Sequence, residues 1–329
     1  MKIKPGVDFD DVMIMPRVGK YNITSRSQPN LYTKNGNYPI YSSPMLGVSD
    51  AEMVIKLGRL NCVGILHRFF YNTTELIREL EKIQQAQQVN PFNWGLSIGL
   101  SYNDMDLLIL LGYLPDIICV DVANGYNPNV YKTVGKLSKL ISDNCYEIDI
   151  MAGSVATYDG ALKLAEYGAN IIRVGVGSGS VCTTRNVTGI GVPQLTAIED
   201  CAQIKVDYPY VEIVADGGIR NSGDAVKAFC VGADGVMLGK LLAQTQTDKI
   251  VVTYSGMASK ELHEAMNKNV QSIEGMSMKL TADKPIDEFI NEFLGGIRSA
   301  CTYLGARNIY DLQDVADFIS TGKNSLKSV

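Results

Sequence analysis

The sequence predicts an α/β protein whose eight parallel strands close into a barrel. Three observations carry that expectation. Eight short apolar, β-branched runs alternate with longer amphipathic stretches. Glycines and polar residues gather just after those runs, and 329 residues suit either two domains or one barrel of this kind. The strand-like runs are 39–43, 62–67, 94–100, 116–122, 147–152, 170–174, 211–215 and 235–238. Helix-like stretches at 50–60, 74–87, 129–142, 158–167, 193–206 and 222–230 lie between them, and 285–303 closes the chain as a further helix. This alternation is that of a (β/α)8 TIM barrel.

The strand ends justify the assignment element by element. The first strand runs into Ser43-Pro44-Met45, the second into His67-Arg68, the fourth into Asp121 and the fifth into Gly153-Ser154. The sixth opens the glycine-rich run from Gly175 to Gln194, the seventh Asp216-Gly217-Gly218 and the eighth Gly239-Lys240. Barrel chemistry collects on such carboxyl-end loops, and a doubly wound sheet explains one polar rim less readily. Residues 1–38 form a polar, turn-rich lead-in. The polar segment 244–283 has little periodicity and is long enough to serve as a mobile active-site flap beside that rim. Residues 1–329 therefore read as a single catalytic domain with short N- and C-terminal extensions.

Composition narrows the function. Hydrophobic residues make up 46% and charged residues 20%, with a net charge of -5, which argues against disorder and against a nucleic-acid partner. The first residues carry no apolar signal stretch, and no run is long enough to span a membrane, so a cytoplasmic protein without a membrane partner is expected. Seven cysteines without a Cys-x-x-Cys pair read as reduced thiols. Cys62 and Cys119 sit in apolar runs as small hydrophobes, whereas Cys182 stands among glycines and hydroxyls. His67 and His263 have no metal-ligand spacing, so zinc or a histidine triad is poorly supported.

The loop Gly-Val-Gly-Ser-Gly-Ser-Val-Cys-Thr-Thr-Arg from Gly175 to Arg185 offers backbone amides for an anion and a thiol that can attack. Arg185 either assists the Cys182 thiolate or folds outward. Thr184 is spaced to relay a proton, Thr183 reads as structural, and the carbonyls around Gly177 and Gly179 suit a monovalent cation. Gly217, Gly218, Gly239 and Lys240 occupy the seventh and eighth strand ends, where barrels commonly bind phosphate. Asp216 beside them suits two ribose hydroxyls, so a nucleoside monophosphate is expected. The plainer alternatives are a flexible loop with a structural cysteine and glycines that serve only tight turns.

These residues resemble those of the IMP dehydrogenase and GMP reductase family. The likeness runs through Phe9-Asp10-Asp11-Val12, Ser42-Ser43-Pro44-Met45, Gly64-Ile65-Leu66-His67-Arg68, Met151-Ala152-Gly153, the Cys182 loop, Ala215-Asp216-Gly217-Gly218-Ile219, Tyr254-Ser255-Gly256-Met257 and Gly295-Gly296-Ile297-Arg298-Ser299. Within the family, Asp121-Val122-Ala123-Asn124-Gly125-Tyr126 and the segment from Arg298 to Gly305 resemble the reductase. There is also no inserted CBS regulatory domain, although some dehydrogenases lack one too.

The resemblance implies reductive deamination of GMP to IMP and ammonia, with NADPH or NADH as hydride donor and a covalent intermediate on Cys182. It assigns Thr184 and Glu274 to proton transfer. Substrate contacts fall on Ser180, Asp216, Gly217, Gly218, Gly239, Lys240, Tyr254, Gly256, Met257 and Ala258. Cofactor contacts fall on Ser25, Arg26, Arg68, Asp121, Val122, Ala123, Ser299, Ala300, Cys301 and Thr302, and a potassium ion on Gly177, Gly179 and Arg185. A homotetramer is also implied. The rival readings are a dehydrogenase taking IMP to XMP without its regulatory domain, an enzyme of modified or deoxy purine monophosphates, and an inactive nucleotide-binding paralogue. Departures from the family pattern stand at Leu46, Ser154, Ser178 and Lys240, expected in the nucleotide pocket, and at Val270 and Gln271 before Glu274.

Overall fold

The structure is a computed structural model and describes residues 4–100, 106, 112–245, 251–256, 259 and 275–321. In chain order its described strands are β1 (Val12–Ile14), β2 (Ile40–Ser42), β3 (Gly64–Leu66), β4 (Trp94–Ile98), β5 (Ile117–Val120), β6 (Asp149–Val155), β7 (Ile171–Val174), β8 (Glu212–Asp216), β9 (Gly235–Leu238), β10 (Val252–Ser255), β11 (Ser277–Leu280) and β12 (Phe318–Ser320). Strands β2 to β9 form one parallel sheet in the order β2-β9-β8-β7-β6-β5-β4-β3. Its two ends meet through a parallel bridge between Tyr41 and Val63. There the Val63 amide donates to the Ile40 carbonyl and the Ser42 amide to the Val63 carbonyl, both at 3.0 Å. The barrel expected from the sequence is therefore closed.

Two-sided burial explains why the strands read as unbroken apolar runs. Tyr41, Val63, Ile65, Ile117, Cys119, Met151, Ile171, Val214 and Met237 fill the barrel interior as one cluster. Their strand neighbours Ile118, Val120, Ile172, Val174, Ile213 and Ala215 belong instead to the outer core under the helices. The period of two assigns each side chain to one layer or the other. Strand β6 runs beyond its expected end, to Val155, through a register shift between Ala152 and Val155.

The outer helices start where short polar side chains can cap them. Asp50 accepts from the Met53 amide at 3.0 Å, Asn72 from Glu75 at 3.0 Å and Asn221 from Asp224 at 2.9 Å. Each bond satisfies an N–H that the first helical turn leaves without a partner. These caps open the helices Ala51–Arg59, Thr73–Val89 and Ser222–Cys230.

Two polar segments hold more order than their composition suggests. In the lead-in, β1 pairs antiparallel with β12, joining the two ends of the chain. Phe9 is 2% exposed, and the Lys227 ammonium donates to its carbonyl at 2.8 Å, which pins the lead-in to the rim-side helix after β8. In the segment 244–283, β10 pairs antiparallel with β11, from Val252 with Leu280 to Ser255 with Ser277. Among the described residues no helix is long and apolar enough to cross a membrane.

Candidate active site

The carboxyl ends of β2, β5, β6, β7, β8 and β9 open onto a cavity of about 440 Å³, a size suited to a small-molecule ligand. Two strand-end loops press together at its floor. Gly175 has a φ of +153°, and a Cβ there would fall 2.0 Å from the Asp216 carbonyl oxygen. Gly217 and Gly218 both take positive φ, +89° and +81°, in the region that favours glycine. The Ser178 hydroxyl donates to the Asp216 carbonyl at 2.8 Å, and the Gln194 amide donates to it at 3.2 Å and to Val174 at 2.8 Å. Ser178, a departure from the family pattern, thus ties the cysteine loop to β8.

Cys182 is half-buried and lines the cavity. Its amide donates to the Gly179 carbonyl at 3.1 Å, and its sulfur lies 3.2 Å from the Thr184 hydroxyl. Cys182 also bridges Gly275, while the Met276 amide donates to the Val181 carbonyl at 2.9 Å. The segment leading into β11 is therefore stitched to the thiol loop. Glu274, Met257 and Ala258, expected as site residues, lie outside the described residues, as do Val270 and Gln271.

Arg185 takes the outward alternative. Its Nη2 donates to the Val192 carbonyl at 2.7 Å, and Nη1 stands 3.7 Å from the Asp8 carboxylate. Its stem runs against Gly177 and Gly191. Of the carbonyls expected around a cation, Gly179 accepts from Cys182 and Arg185 from Gly189, both at 3.1 Å. Each carbonyl retains a second lone pair, so oxygen ligation of a hard monovalent cation fits them.

At the other end, Gly239 lies so close to the Tyr254 hydroxyl that a Cβ would meet it at 2.6 Å. Tyr254 on β10 is 4% exposed; burial raises its pKa, opposed by hydrogen bonding from Ser180 and the Lys240 amide. Gly256 lines the cavity beside it. Arg220 is engaged by Asp10 and Asp224. Lys240 is the lining cation without a carboxylate partner among the described residues.

The interior between these ends holds a residue that the sequence reading passed over. Arg173 on β7 is 4% exposed and donates to Asp121 Oδ1 at 2.9 Å and to Asp216 Oδ2 at 2.7 Å. Burial works against its charge, but Asp216, Cys119 and Asp121 outweigh that and hold its pKa well above the ordinary value. Burial likewise pushes the Asp121 carboxyl up, opposed by Arg173 and Arg68. The available signal was a lone arginine at an inward position of the apolar run Ile171-Ile172-Arg173-Val174.

The expected cofactor residues divide into two sets. Asp121, Val122 and Ala123 line the cavity together with Ser154. Arg68 does not, although its Nε lies 3.6 Å from Asp121 Oδ2 and its guanidinium covers the Phe69 ring at 4.6 Å. Ser25 and Arg26 are exposed on the lead-in, and Ser299, Ala300, Cys301 and Thr302 lie on the helix Ile286–Leu304, outside the lining. Cys301 is 0% exposed, and burial pushes its thiol up to about 12, so its side chain serves the core. Leu46, expected in the nucleotide pocket, is 39% exposed and outside the lining; its neighbour Met45 is within it.

The chain matches the family model described as IMP dehydrogenase / GMP reductase domain over residues 6–328. It is 33% identical over 335 residues to a protein named GMP reductase from Buchnera aphidicola subsp. Acyrthosiphon pisum, covering 94% of this chain and 93% of that one. A protein of the same name from Shewanella pealeana is 34% identical over the same shares. A protein named inosine-5'-monophosphate dehydrogenase from Aquifex aeolicus is 39% identical over 249 residues; the match takes in 68% of this chain and 49% of that relative, about half its length.

Proposed function

This chain belongs to the IMP dehydrogenase / GMP reductase family, and we propose that within it the protein is an NADPH-dependent reductase converting GMP to IMP and ammonia. The observation that carries the reading is the Cys182–Thr184 pair, 3.2 Å apart at a cavity whose far end is lined by glycines, Tyr254 and Lys240. The near end-to-end match to relatives named GMP reductase favours the reductase direction.

The phosphate would rest on the amides of Gly218 and Gly239, the hydroxyls of Ser180 and Tyr254, and the Lys240 ammonium. Both Arg173 bonds to Asp216 end on Oδ2, which leaves Oδ1 outside that ion pair to accept from ribose hydroxyls. The Cys182 sulfur would attack purine C2, forming a C–S bond as the C–N bond to the exocyclic amine breaks. Thr184 would pass a proton to the departing ammonia, with Glu274 as its partner. Division of one difficult substitution into two easier steps is the benefit of the covalent route.

The nicotinamide riboside end of the cofactor would lie beside Asp121, Val122 and Ala123, because the buried Asp121 Oδ2 has no hydrogen-bond partner among the described residues and can accept from a ribose hydroxyl or the carboxamide N–H. When bound, it would supply hydride to C2. Cys182 then leaves as thiolate when the C–S bond breaks, and the protein is restored. Carbonyls of Gly177, Gly179 and Arg185 would hold potassium and keep the loop ordered.

The 39% identity to the Aquifex aeolicus protein supports the second reading, a dehydrogenase oxidising IMP to XMP with NAD. The test is an absorbance assay with the two substrate pairs. GMP with NADPH should bleach the reduced-nicotinamide band. No loss with that pair, together with a gain from IMP and NAD, would overturn the reductase assignment.

A further inference from the structure

Arg173 is a forked cation shared between two strand ends. Nη1 donates to Asp121 Oδ1 beyond β5 at 2.9 Å, while Nη2 and Nε donate to Asp216 Oδ2 on β8 at 2.7 and 3.2 Å. Nη1 also reaches the Cys119 sulfur at 3.4 Å. The guanidinium is planar and rigid, so a rotation that suits one carboxylate moves the donors offered to the other.

The network is incomplete on one side. Asp121 is 0% exposed, yet among the described residues its Oδ2 has no hydrogen-bond partner, and neither has Arg68 Nε, which stands 3.6 Å from it. A buried acceptor left unmet is costly, so this oxygen gains most from a ligand that brings a donor. Asp216, by contrast, is fixed at its carbonyl by Ser178 and Gln194 and at its carboxylate by Arg173.

We propose that Arg173 is a positioning residue that joins Asp121 and Asp216 into one charged unit, so that the nucleotide at Asp216 and the dinucleotide at Asp121 bind with positive coupling. Hydroxyls that settle on Asp216 hold the guanidinium plane, and Asp121 is thereby oriented for the second ligand. The ordering loss falls on the first ligand and is spared the second. The coupling is reciprocal, as linkage requires. The identity of the two ligands rests on the function proposed above.

Calorimetric titration of GMP, alone and with saturating NADP in its oxidised form, tests this without turnover. In the wild-type protein each ligand should tighten the other by about tenfold. Arg173→Lys keeps the charge but loses the fork, and its coupling should fall below about twofold. Arg173→Met should lose it as well; if that variant does not fold, the lysine variant decides. A lysine variant with a lowered melting temperature but undiminished coupling would mean that Arg173 is only structural, and the proposal falls. Wild-type protein that binds both ligands without coupling overturns this inference alone. Wild-type protein that binds neither GMP nor IMP overturns the proposed function and this inference with it.

Discussion

The sulfur of Cys182 lies 3.2 Å from the hydroxyl oxygen of Thr184, the residue that opens the short helix Thr184–Thr188. The turn that makes this contact is set by the backbone: the Cys182 amide closes on Gly179, and the Asn186 and Val187 amides close on Thr183. On the proposed function, a nucleophile and a proton carrier would thus stand two residues apart, with their contact set by the backbone of this loop.

Removal of either member should separate binding from chemistry. Cys182→Ala is expected to bind purine monophosphate and lose turnover. Thr184→Val should lower kcat by roughly 10²-fold with little change in KM, the range of a lost acid–base contribution. Steady-state kinetics beside equilibrium binding check both, and an unchanged kcat in the threonine variant would remove it from the mechanism.

The thiols should differ sharply in reactivity. Cys145 is exposed and Cys182 half-buried, whereas burial pushes the thiols of Cys62, Cys119, Cys230 and Cys301 up to about 12. Brief alkylation of the native protein near neutral pH should label Cys145 and Cys182, and GMP should protect Cys182 alone. Peptide mass spectrometry reads the pattern; native labelling of Cys301 would contradict the buried assignment.

Lys240 should contribute binding rather than catalysis. Lys240→Ala is expected to raise KM for the nucleotide by about tenfold at low salt, as a lost charge-assisted hydrogen bond does. The difference should narrow as salt screens the exposed ammonium, with kcat nearly constant. A fall in kcat at constant KM would place the ammonium in the chemical step instead.

At the opposite mouth of the barrel, burial pushes the Asp149 carboxyl above its ordinary range, with Asp116 adding to the shift and Lys34 opposing it. The folded state therefore holds this proton more tightly than the unfolded chain. Stability from this group declines as pH rises from the ordinary carboxylate range through the raised value. Asp149→Asn should raise the melting temperature by about 2 °C at neutral pH, and the gain should vanish on acidification. Calorimetric scans across pH check the sign; a lower melting temperature at neutral pH would contradict it.

The barrel was legible because its own strands, β2 to β9, are buried on both faces and therefore read as apolar runs. The rim was legible because glycines, Asp121, Asp216 and Cys182 interrupt those runs at their carboxyl ends. Arg173 was not, since a single charge inside Ile-Ile-Arg-Val carries no periodicity and its partners come from the carboxyl ends of two other barrel units. The pairing of Val12 with Ser320 was equally hidden, because a contact between the chain's two ends leaves no local pattern. Within the polar segment 244–283, a signal did exist: buried Val252 and Tyr254 flank exposed Thr253, the alternation of a strand with one face covered.

On the proposed mechanism Cys182 forms a covalent bond to the purine. Protein turning over GMP and NADPH, quenched in acid and digested, should yield a Cys182 peptide heavier by the mass of GMP less ammonia. Cys182→Ala should yield neither the adduct nor IMP. Turnover of GMP by the Cys182→Ala variant at the wild-type rate, with no modified Cys182 peptide in the wild type, would contradict the account.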